Sequence, residues 1–173
     1  LRSDISETRM VNVGRLFQRF VKAIKDMARS QGKKAELKIF GGDTKIDRVV
    51  FERLFDPMMH IVRNAIAHGI EPPAVRREKG KPEQGQINMS AAREGNAIVI
   101  EIRDDGKGID LDALRKHALK KGMIKDGVEY SREELYGLIF QAGFSTREDT
   151  DMTSGRGIGM NAVRRQISNL SGI

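Results

Sequence analysis

Three polar side chains near the middle of the chain have a spacing that could serve chemistry. His60, Asn64 and His68 are four residues apart, so on a helix they would line one face. A carboxamide at the centre of that face can coordinate Mg²⁺ through its oxygen, together with phosphates and water. His60, one turn earlier, could hydrogen-bond a phosphate or accept a proton from an attacking group. The alternative is that the three residues form the exposed side of an amphipathic helix.

A second candidate lies where a predicted strand over residues 97–103 runs into Asp104-Asp105-Gly106-Lys107-Gly108-Ile109. The two glycines of this motif permit close backbone approach and positive φ. A buried carboxylate at Asp104 could accept a hydrogen bond from an exocyclic amine, which suits adenine and rejects guanine. The alternative is a tight Asp-Gly turn with solvated acids.

The third candidate, Ser154-Gly155-Arg156-Gly157-Ile158-Gly159-Met160, immediately precedes a predicted helix. Free N–H groups at a helix N-terminus bind phosphate, and Arg156 adds a positive charge. These glycines follow a long polar loop, whereas a Rossmann fingerprint would follow the first strand of a βαβ unit. The sequence also contains no Gly-Lys-Ser/Thr phosphate loop. Together, the three candidates predict a nucleotide site assembled from separated segments.

The elements that must position these residues follow from apolar periodicity and from turn residues. Helices alternate with strands, and Glu94-Gly95-Asn96 joins two strands in a hairpin. The predicted class is therefore α+β, with helices on one face of a mixed sheet. The predicted helices cover residues 13–28, 48–68 with a bend near Pro57, 110–121, 131–141 and 159–168, and the strands cover 35–40, 86–91 and 97–103.

Composition narrows the class of protein further. The 173 residues suffice for one domain with a real core, and 32% charged residues indicate a well-charged surface. There is no cysteine, which excludes a disulfide framework and a thiolate metal site. A net charge of +7 raises the question of nucleic acid, but with 5% aromatics and no tryptophan we expect no base-stacking platform and no nucleic-acid partner. No apolar run reaches the roughly 18 residues of a membrane span.

The combination of motifs resembles the ATP-binding kinase domain of the CheA-type chemotaxis histidine kinases. That group is a branch of the gyrase, Hsp90, histidine kinase and MutL ATPase superfamily. The resemblance extends almost throughout residues 9–170. The segments that carry it are residues 16–20, 56–64, 68–71, 80–82, 104–110, 138–140, 143–146 and 154–160.

The resemblance implies a Bergerat-type fold, a two-layer α/β sandwich whose mixed, largely antiparallel sheet is covered on one face by helices. The kinase domain would occupy residues 11–173, and residues 1–10 would be the tail of a preceding dimerisation helix. Further C-terminal strands of the family's sheet would be missing from this chain.

The resemblance also implies roles for individual residues. Asn64 would coordinate Mg²⁺, His60 would assist transfer of the γ-phosphoryl group, and His68 would lie near the phosphates. Asp104 would accept the adenine amine, and a lid over the nucleotide would run from about Thr146 to Arg156. The other implied nucleotide-binding residues are Gly106, Gly108, Ile109, Phe144, Ser145, Thr146, Gly155, Arg156, Gly157, Ile158 and Gly159.

The activity implied is that of a cytoplasmic two-component histidine kinase. It would bind Mg-ATP and transfer the γ-phosphoryl group to a histidine on a separate phosphotransfer domain of the same or a partner chain. The implied partners of the full-length protein are a response regulator and a receptor-coupling protein, which bind other domains, and a second copy in a homodimer. We expect the phosphoacceptor to lie elsewhere, because His60 and His68 belong to the nucleotide face. The third histidine, His117, is predicted to occupy an exposed helical position, where a lone histidine is usually just solvated.

Two alternatives stay open. The first is an ATP-hydrolysing conformational switch of the gyrase or MutL kind, although those enzymes carry a glutamate four residues before the asparagine, where this chain has His60. The second is a binding module of the same fold that has lost phosphotransfer. Ala67 leaves this open, because the family usually has aspartate there, so one supporting hydrogen bond of the site is in question.

Overall fold

A computed structural model describes residues 9–144 and 160–170 of the chain. The chain divides into two compact units, Leu1–Gly108 and Ile109–Ile173. Of the predicted N-terminal tail, residues 1–8 lie outside the described residues, and Met10 already belongs to a strand.

From residue 9 onward, where the structure describes it, the first unit contains five strands, three α-helices and one π-helical turn. The predicted helix over 13–28, the strand over 35–40 and the hairpin are confirmed. The elements in chain order are β1 (Met10–Asn12), α1 (Val13–Ser30), β2 (Ala35–Phe40), β3 (Lys45–Asp47), α2 (Arg48–Asn64), the π turn (Ala65–Gly69), α3 (Pro73–Glu78), β4 (Gly85–Glu94) and β5 (Ala97–Asp104).

The main sheet is mixed, as predicted, with strand order β2-β4-β5. Strands β2 and β4 run parallel, and β4 and β5 form the antiparallel hairpin. Asp104, the last residue of β5, pairs with Ile87, while Ala35 at the start of β2 pairs with Gly85. The end of β5 therefore lies at the same edge of the sheet as the beginnings of β2 and β4. A separate two-stranded sheet joins β1 and β3.

One face of the main sheet forms a core with α1 and α2. Alternate residues of β4, including Ile87 and Met89, are fully buried, as the period of a strand with one buried face requires. The buried residues of α1 recur every three or four positions, and the Phe17 and Phe51 rings lie 6.2 Å apart across α1 and α2. This core confirms the predicted α+β class. None of the described helices, α1 included, is long and apolar enough to cross a membrane.

The second unit contains α4 (Leu111–Lys120), α5 (Arg132–Leu138) and α6 (Met160–Ser168). Asp110 caps α4, and Ser131 and Glu134 form a capping box at the start of α5. His117 of α4 is half-buried and meets the Phe144 ring edge-on at 5.2 Å. The prediction that His117 is exposed is therefore wrong, because apolar neighbours cover its side of α4.

The structure differs from the predicted elements at three places. The helix predicted over 48–68 is α-helical up to Asn64, without a break at Pro57, and then widens into the π turn, in which Ile70 N donates to Ala65 O at 2.8 Å. Helix α3 was not predicted because Pro72-Pro73 suggested a connection, but proline at the first helical position starts a helix well. Strands β1 and β3 have three residues each, too few to show a period.

Candidate functional site

The end of α2 and the π turn carry the first predicted group of polar residues. His60 and Asn64 are half-buried on α2, and His68 is exposed in the π turn. A π turn rotates the chain less per residue than an α-helix does. His60 and Asn64 therefore share one helical face, as predicted. His68 does not continue that face, because its side chain projects from the π turn in a different direction from the one that α-helical spacing predicts.

Lys33 supports the π turn from the loop between α1 and β2. Its Nζ donates to Ile66 O at 2.6 Å and to Ala67 O at 2.9 Å. Burial lowers the pKa of Lys33, and the nearby charge of Lys107 lowers it further, while Glu71 opposes the shift. Sequence analysis missed Lys33, because one lysine before a strand gives no signal of a contact more than thirty residues away.

Asp104 lies directly against the end of the π turn. Its Oδ1 accepts a hydrogen bond from Gly106 N at 3.0 Å, and a Cβ atom at Gly69 would lie 2.7 Å from that same oxygen. Lys107 N also donates to Gly69 O at 3.0 Å. The structure thus brings two predicted segments of the site together. Asp104 is exposed rather than buried, so the expectation of a buried carboxylate is wrong.

Two glycines of the turn after β5, Gly106 and Gly108, are favoured over other residues for different structural reasons. A Cβ atom at Gly106 would lie 2.3 Å from both the carbonyl carbon and the oxygen of Gly69, so Gly106 is required for space. Gly108 has a φ of +72°, so its conformation favours glycine. The positive φ predicted for this motif therefore occurs at Gly108, and the predicted close approach occurs at Gly106.

A buried ionic cluster lies beside the turn, and sequence analysis did not predict it. Arg76 of α3 is 0% exposed, Glu71 is 5% exposed, and their Nη1 and Oε2 atoms are 3.3 Å apart. Arg76 also contacts the Asp105 carboxylate, with Nη2 to Oδ2 at 2.8 Å. A buried charge must be paired to be tolerated, so Glu71, Arg76 and Asp105 depend on one another. The Arg76 position carried no sequence signal, because α3 itself was not predicted.

Two lysines complete the cluster around Glu71. Lys81 Nζ and Lys79 Nζ lie 3.1 Å and 3.3 Å from Glu71 Oε1. Burial opposes ionisation of Glu71, but hydrogen bonds from Lys81, from its own backbone amide and from Lys79 outweigh burial and lower its pKa to about 2. Glu71 is therefore ionised throughout the physiological pH range.

A cleft of about 250 Å³ opens next to the π turn. It combines backbone around His68 and Gly69 with three ammonium groups and one carboxylate, which favours an anionic ligand. The residues that line it are Lys33, Ala67, His68, Gly69, Ile70, Glu71, Pro72, Val75, Lys79 and Lys107.

Within the described ranges, no three His, Cys, Asp or Glu side chains are grouped so that they could hold a metal ion. A metal at the Asn64 site, for which one protein ligand is predicted, would take its other ligands from phosphates and water. Mg²⁺ commonly binds in this way, retaining waters and taking one or two protein oxygens. The carboxamide of Asn64, half-buried at the end of α2, fits that role.

The remaining predicted site residues do not belong to the first unit or are not described. Ile109 is 52% exposed, and Phe144 is 8% exposed in the core of the second unit. The predicted roles of the following residues cannot be compared with coordinates, since they lie outside the described part of the chain: Ser145, Thr146, Gly155, Arg156, Gly157, Ile158 and Gly159.

Comparison with known proteins gives consistent matches. The sequence model of the family described as histidine kinase-, DNA gyrase B-, and HSP90-like ATPase matches residues 53–173. The sensor histidine kinase CheAY of Helicobacter pylori is 44% identical over 100% of this chain and 22% of its own length. The chemotaxis protein CheA of Treponema pallidum is 41% identical over 99% of this chain and 21% of its own. A gliding motility regulatory protein of Myxococcus xanthus is 38% identical over 97% of this chain. The chain spans about a fifth of the length of these relatives.

Proposed function

Because the chain belongs to the histidine kinase-, DNA gyrase B- and HSP90-like ATPase family, we propose that it is the ATP-binding catalytic domain of a chemotaxis-type sensor histidine kinase. The observation that carries the proposal is the position of Asp104, whose carboxylate lies against Gly69 at the end of the π turn. The names of the relatives support the same reaction, since one is a sensor histidine kinase and two others are chemotaxis proteins, and all three align with nearly the whole chain.

Asp104 is the residue that we propose to recognise adenine. Its carboxylate is exposed at the end of β5 and accepts hydrogen bonds but, when ionised, donates none. The exocyclic amine of adenine is a donor, whereas guanine presents a carbonyl oxygen at the equivalent position. Asp104 therefore favours adenine nucleotides over guanine nucleotides.

The phosphates would lie near the end of α2, where Asn64 holds the magnesium ion that accompanies ATP. The bound ion supplies charge neutralisation for the phosphates. Lys33 and Lys107 add positive charge to the adjoining cleft. We propose that His68, Gly106, Gly108, Ile109 and Phe144, together with the undescribed Ser145, Thr146 and residues 155–159, complete the nucleotide site and its lid.

The proposed reaction transfers the γ-phosphoryl group to a histidine nitrogen of a separate phosphotransfer domain. The new bond joins phosphorus to nitrogen, the bond to the bridging oxygen breaks, and ADP leaves. His60 lies one turn before Asn64 and can hydrogen-bond the transferred group or accept the proton of the attacking imidazole. The chain contributes mainly positioning and charge stabilisation, which is typical of phosphoryl transfer.

The full-length protein, on this proposal, is a cytoplasmic homodimer. Its other domains would contact a response regulator and a receptor-coupling protein. These partners are proposed from the likeness to relatives about five times as long as this chain.

The first experiment titrates the 173-residue chain with ADP and with a non-hydrolysable ATP analogue, each with and without Mg²⁺. Calorimetry measures the binding, and thermal melting measures the change in stability. We expect saturable binding, tighter with Mg²⁺ for the triphosphate, and a raised melting temperature. A cooperative melt without binding would contradict the proposed function. Incubation with [γ-³²P]ATP and a histidine phosphotransfer domain then distinguishes the kinase, which labels histidine, from an ATPase switch, which releases inorganic phosphate only.

A further inference from the structure

We propose that Arg76 and Lys81 are positioning residues for nucleotide recognition. They fix the turn formed by residues 104–106, and thereby set both the affinity for adenine nucleotides and the discrimination against guanine nucleotides. The inference rests on the proposed function, since it presupposes that Asp104 meets the adenine base. Neither residue needs to touch the nucleotide.

Arg76 holds Asp105 through both its backbone and its side chain. Nη1 donates to Asp105 Oδ1 at 3.1 Å and to Asp105 O at 3.3 Å, and Nη2 donates to Oδ2 at 2.8 Å. Nε donates to Pro82 O at 2.6 Å. The planar guanidinium thus fixes the position and the orientation of Asp105 together. Gln86 N donates to Asp105 Oδ1 at 2.9 Å and ties the same carboxylate to β4.

Lys81 holds the next peptide of the turn. Its Nζ donates to Asp105 O at 3.1 Å and to Gly106 O at 2.9 Å, and the same group pairs with Glu71 at 3.1 Å. Its side chain is 32% exposed. Because an ammonium group has three donors, these three oxygens use its full capacity. The turn carbonyls are therefore held by a charged donor, which binds more strongly than a neutral donor.

This network holds the neighbours of Asp104 rather than Asp104 itself. The hydrogen bonds that Arg76 and Lys81 donate to the turn end on Asp105 and Gly106. The exposed Asp104 carboxylate accepts its hydrogen bond from Gly106 N, within the turn itself. The Asp104 carboxylate can therefore meet a ligand while its backbone is already fixed. Such preorganisation raises affinity, because less conformational freedom is lost on binding.

Glu71 links this network to the other half of the site. Glu71 follows the π turn by two residues, and its buried carboxylate pairs with both Arg76 and Lys81. The two cations consequently connect the segment after His68 to the turn after β5. Their removal should therefore change the position of Asp104 relative to the π turn, which a general loss of surface charge would not do.

The test compares Lys81→Met with Lys34→Met in the 173-residue chain. Lys34 also pairs with a glutamate, Glu83, at 2.8 Å, and its substitution changes the net charge equally, but the Lys34 contacts described here leave the turn untouched. We expect Lys81→Met to weaken ADP binding about tenfold and to reduce the ratio of ATP to GTP affinity, measured by calorimetry. Lys34→Met should retain wild-type values for both. Lys81→Arg should recover part of the loss, because the charge and donors are kept.

Arg76→Lys tests the second positioning residue. Lysine keeps the charge beside Glu71 but loses the two-pronged contact with Asp105, so we expect weaker binding and lower nucleotide selectivity together. Should Arg76→Lys fail to melt cooperatively, the Lys81 variants still decide the question. Wild-type binding and selectivity in a folded Lys81→Met would overturn the inference. A different result, no binding of adenine nucleotide by the wild-type chain, would contradict the proposed function itself.

Discussion

Asp104 and Gly69 lie so close together that a Cβ atom at residue 69 would be 2.7 Å from Asp104 Oδ1. These residues are 35 positions apart in the sequence, one at the end of β5 and the other at the end of the π turn. Gly106 packs on the Gly69 carbonyl in the same region. The Asp-x-Gly spacing of the turn therefore has a local steric reason, because the turn has room for the Gly69 backbone only without a side chain at residue 106.

Gly106→Ala should destabilise the first unit and weaken nucleotide binding. The new Cβ would lie 2.3 Å from backbone atoms of Gly69, so one segment must move, at a cost of about 1–3 kcal/mol. Chemical denaturation and an ADP titration measure the two effects. The control is Gly137→Ala in α5, which has open space around the added methyl and should be neutral or slightly stabilising. Equal effects at the two positions would contradict the steric argument.

Asp104→Ala should remove the preference for adenine. The carboxylate is the acceptor that we assign to the exocyclic amine, so the ratio of ATP to GTP affinity should fall by about tenfold or more. Competitive displacement of a fluorescent ADP by ATP and GTP measures the ratio. Asp126→Ala, at an exposed turn of the second unit, serves as the control. Equal affinity of the wild-type chain for ATP and GTP would refute the role of Asp104.

Asn64→Ala should abolish the Mg²⁺-dependent part of ATP-analogue binding while the domain stays folded. The carboxamide oxygen is the protein ligand proposed for the metal, and the remaining contacts to base and phosphates do not depend on it. Titrations with and without Mg²⁺ separate the two contributions. Asn169→Ala removes an exposed amide near the C-terminus and should behave as the wild type. Unchanged Mg²⁺ dependence in Asn64→Ala would remove Asn64 from the metal site.

Lys33→Met should lower the free energy of unfolding by about 1–3 kcal/mol, because the carbonyl oxygens of Ile66 and Ala67 lose a charged donor. The neighbouring Lys34→Met loses an exposed ion pair with Glu83 and should cost at most about 1 kcal/mol. Urea denaturation of both variants gives the comparison. A smaller loss for Lys33→Met than for Lys34→Met would contradict the assigned support of the π turn.

Glu71 should make stability depend on acid pH. Its pKa is lowered to about 2 in the folded chain, whereas an unfolded glutamate titrates near its ordinary value of about 4.3. The unfolded chain therefore binds the proton first, so this stabilisation is present above about pH 4.3 and is lost as the pH falls towards 2. Its size is roughly 3 kcal/mol. We expect the melting temperatures of wild type and Glu71→Gln to differ above about pH 4.3 and to converge as the pH falls towards 2. Melting temperatures that stay the same distance apart over this pH window would contradict the assignment.

The sequence by itself determined the family, the class of fold and the local elements with a clear period. The five buried positions of α1 and the alternation in β4 are local patterns that burial of one face requires. The motifs that contain Asn64 and Asp104 predicted the family, and the match over residues 53–173 confirms it. The roles of individual site residues stay predictions, and those after Phe144 lie outside the described residues until α6.

Only the tertiary structure decided which distant groups meet. The π turn replaces the last predicted turn of α2, where Lys33 holds its carbonyl oxygens from another loop. Nothing in the sequence distinguishes Arg76 from a surface arginine, yet its side chain is 0% exposed and pairs with Glu71 and Asp105. Periodicity reports which side of an element is buried, because it depends on neighbours along the chain. Partners of buried charges depend instead on how segments pack, which spacing along the chain does not record.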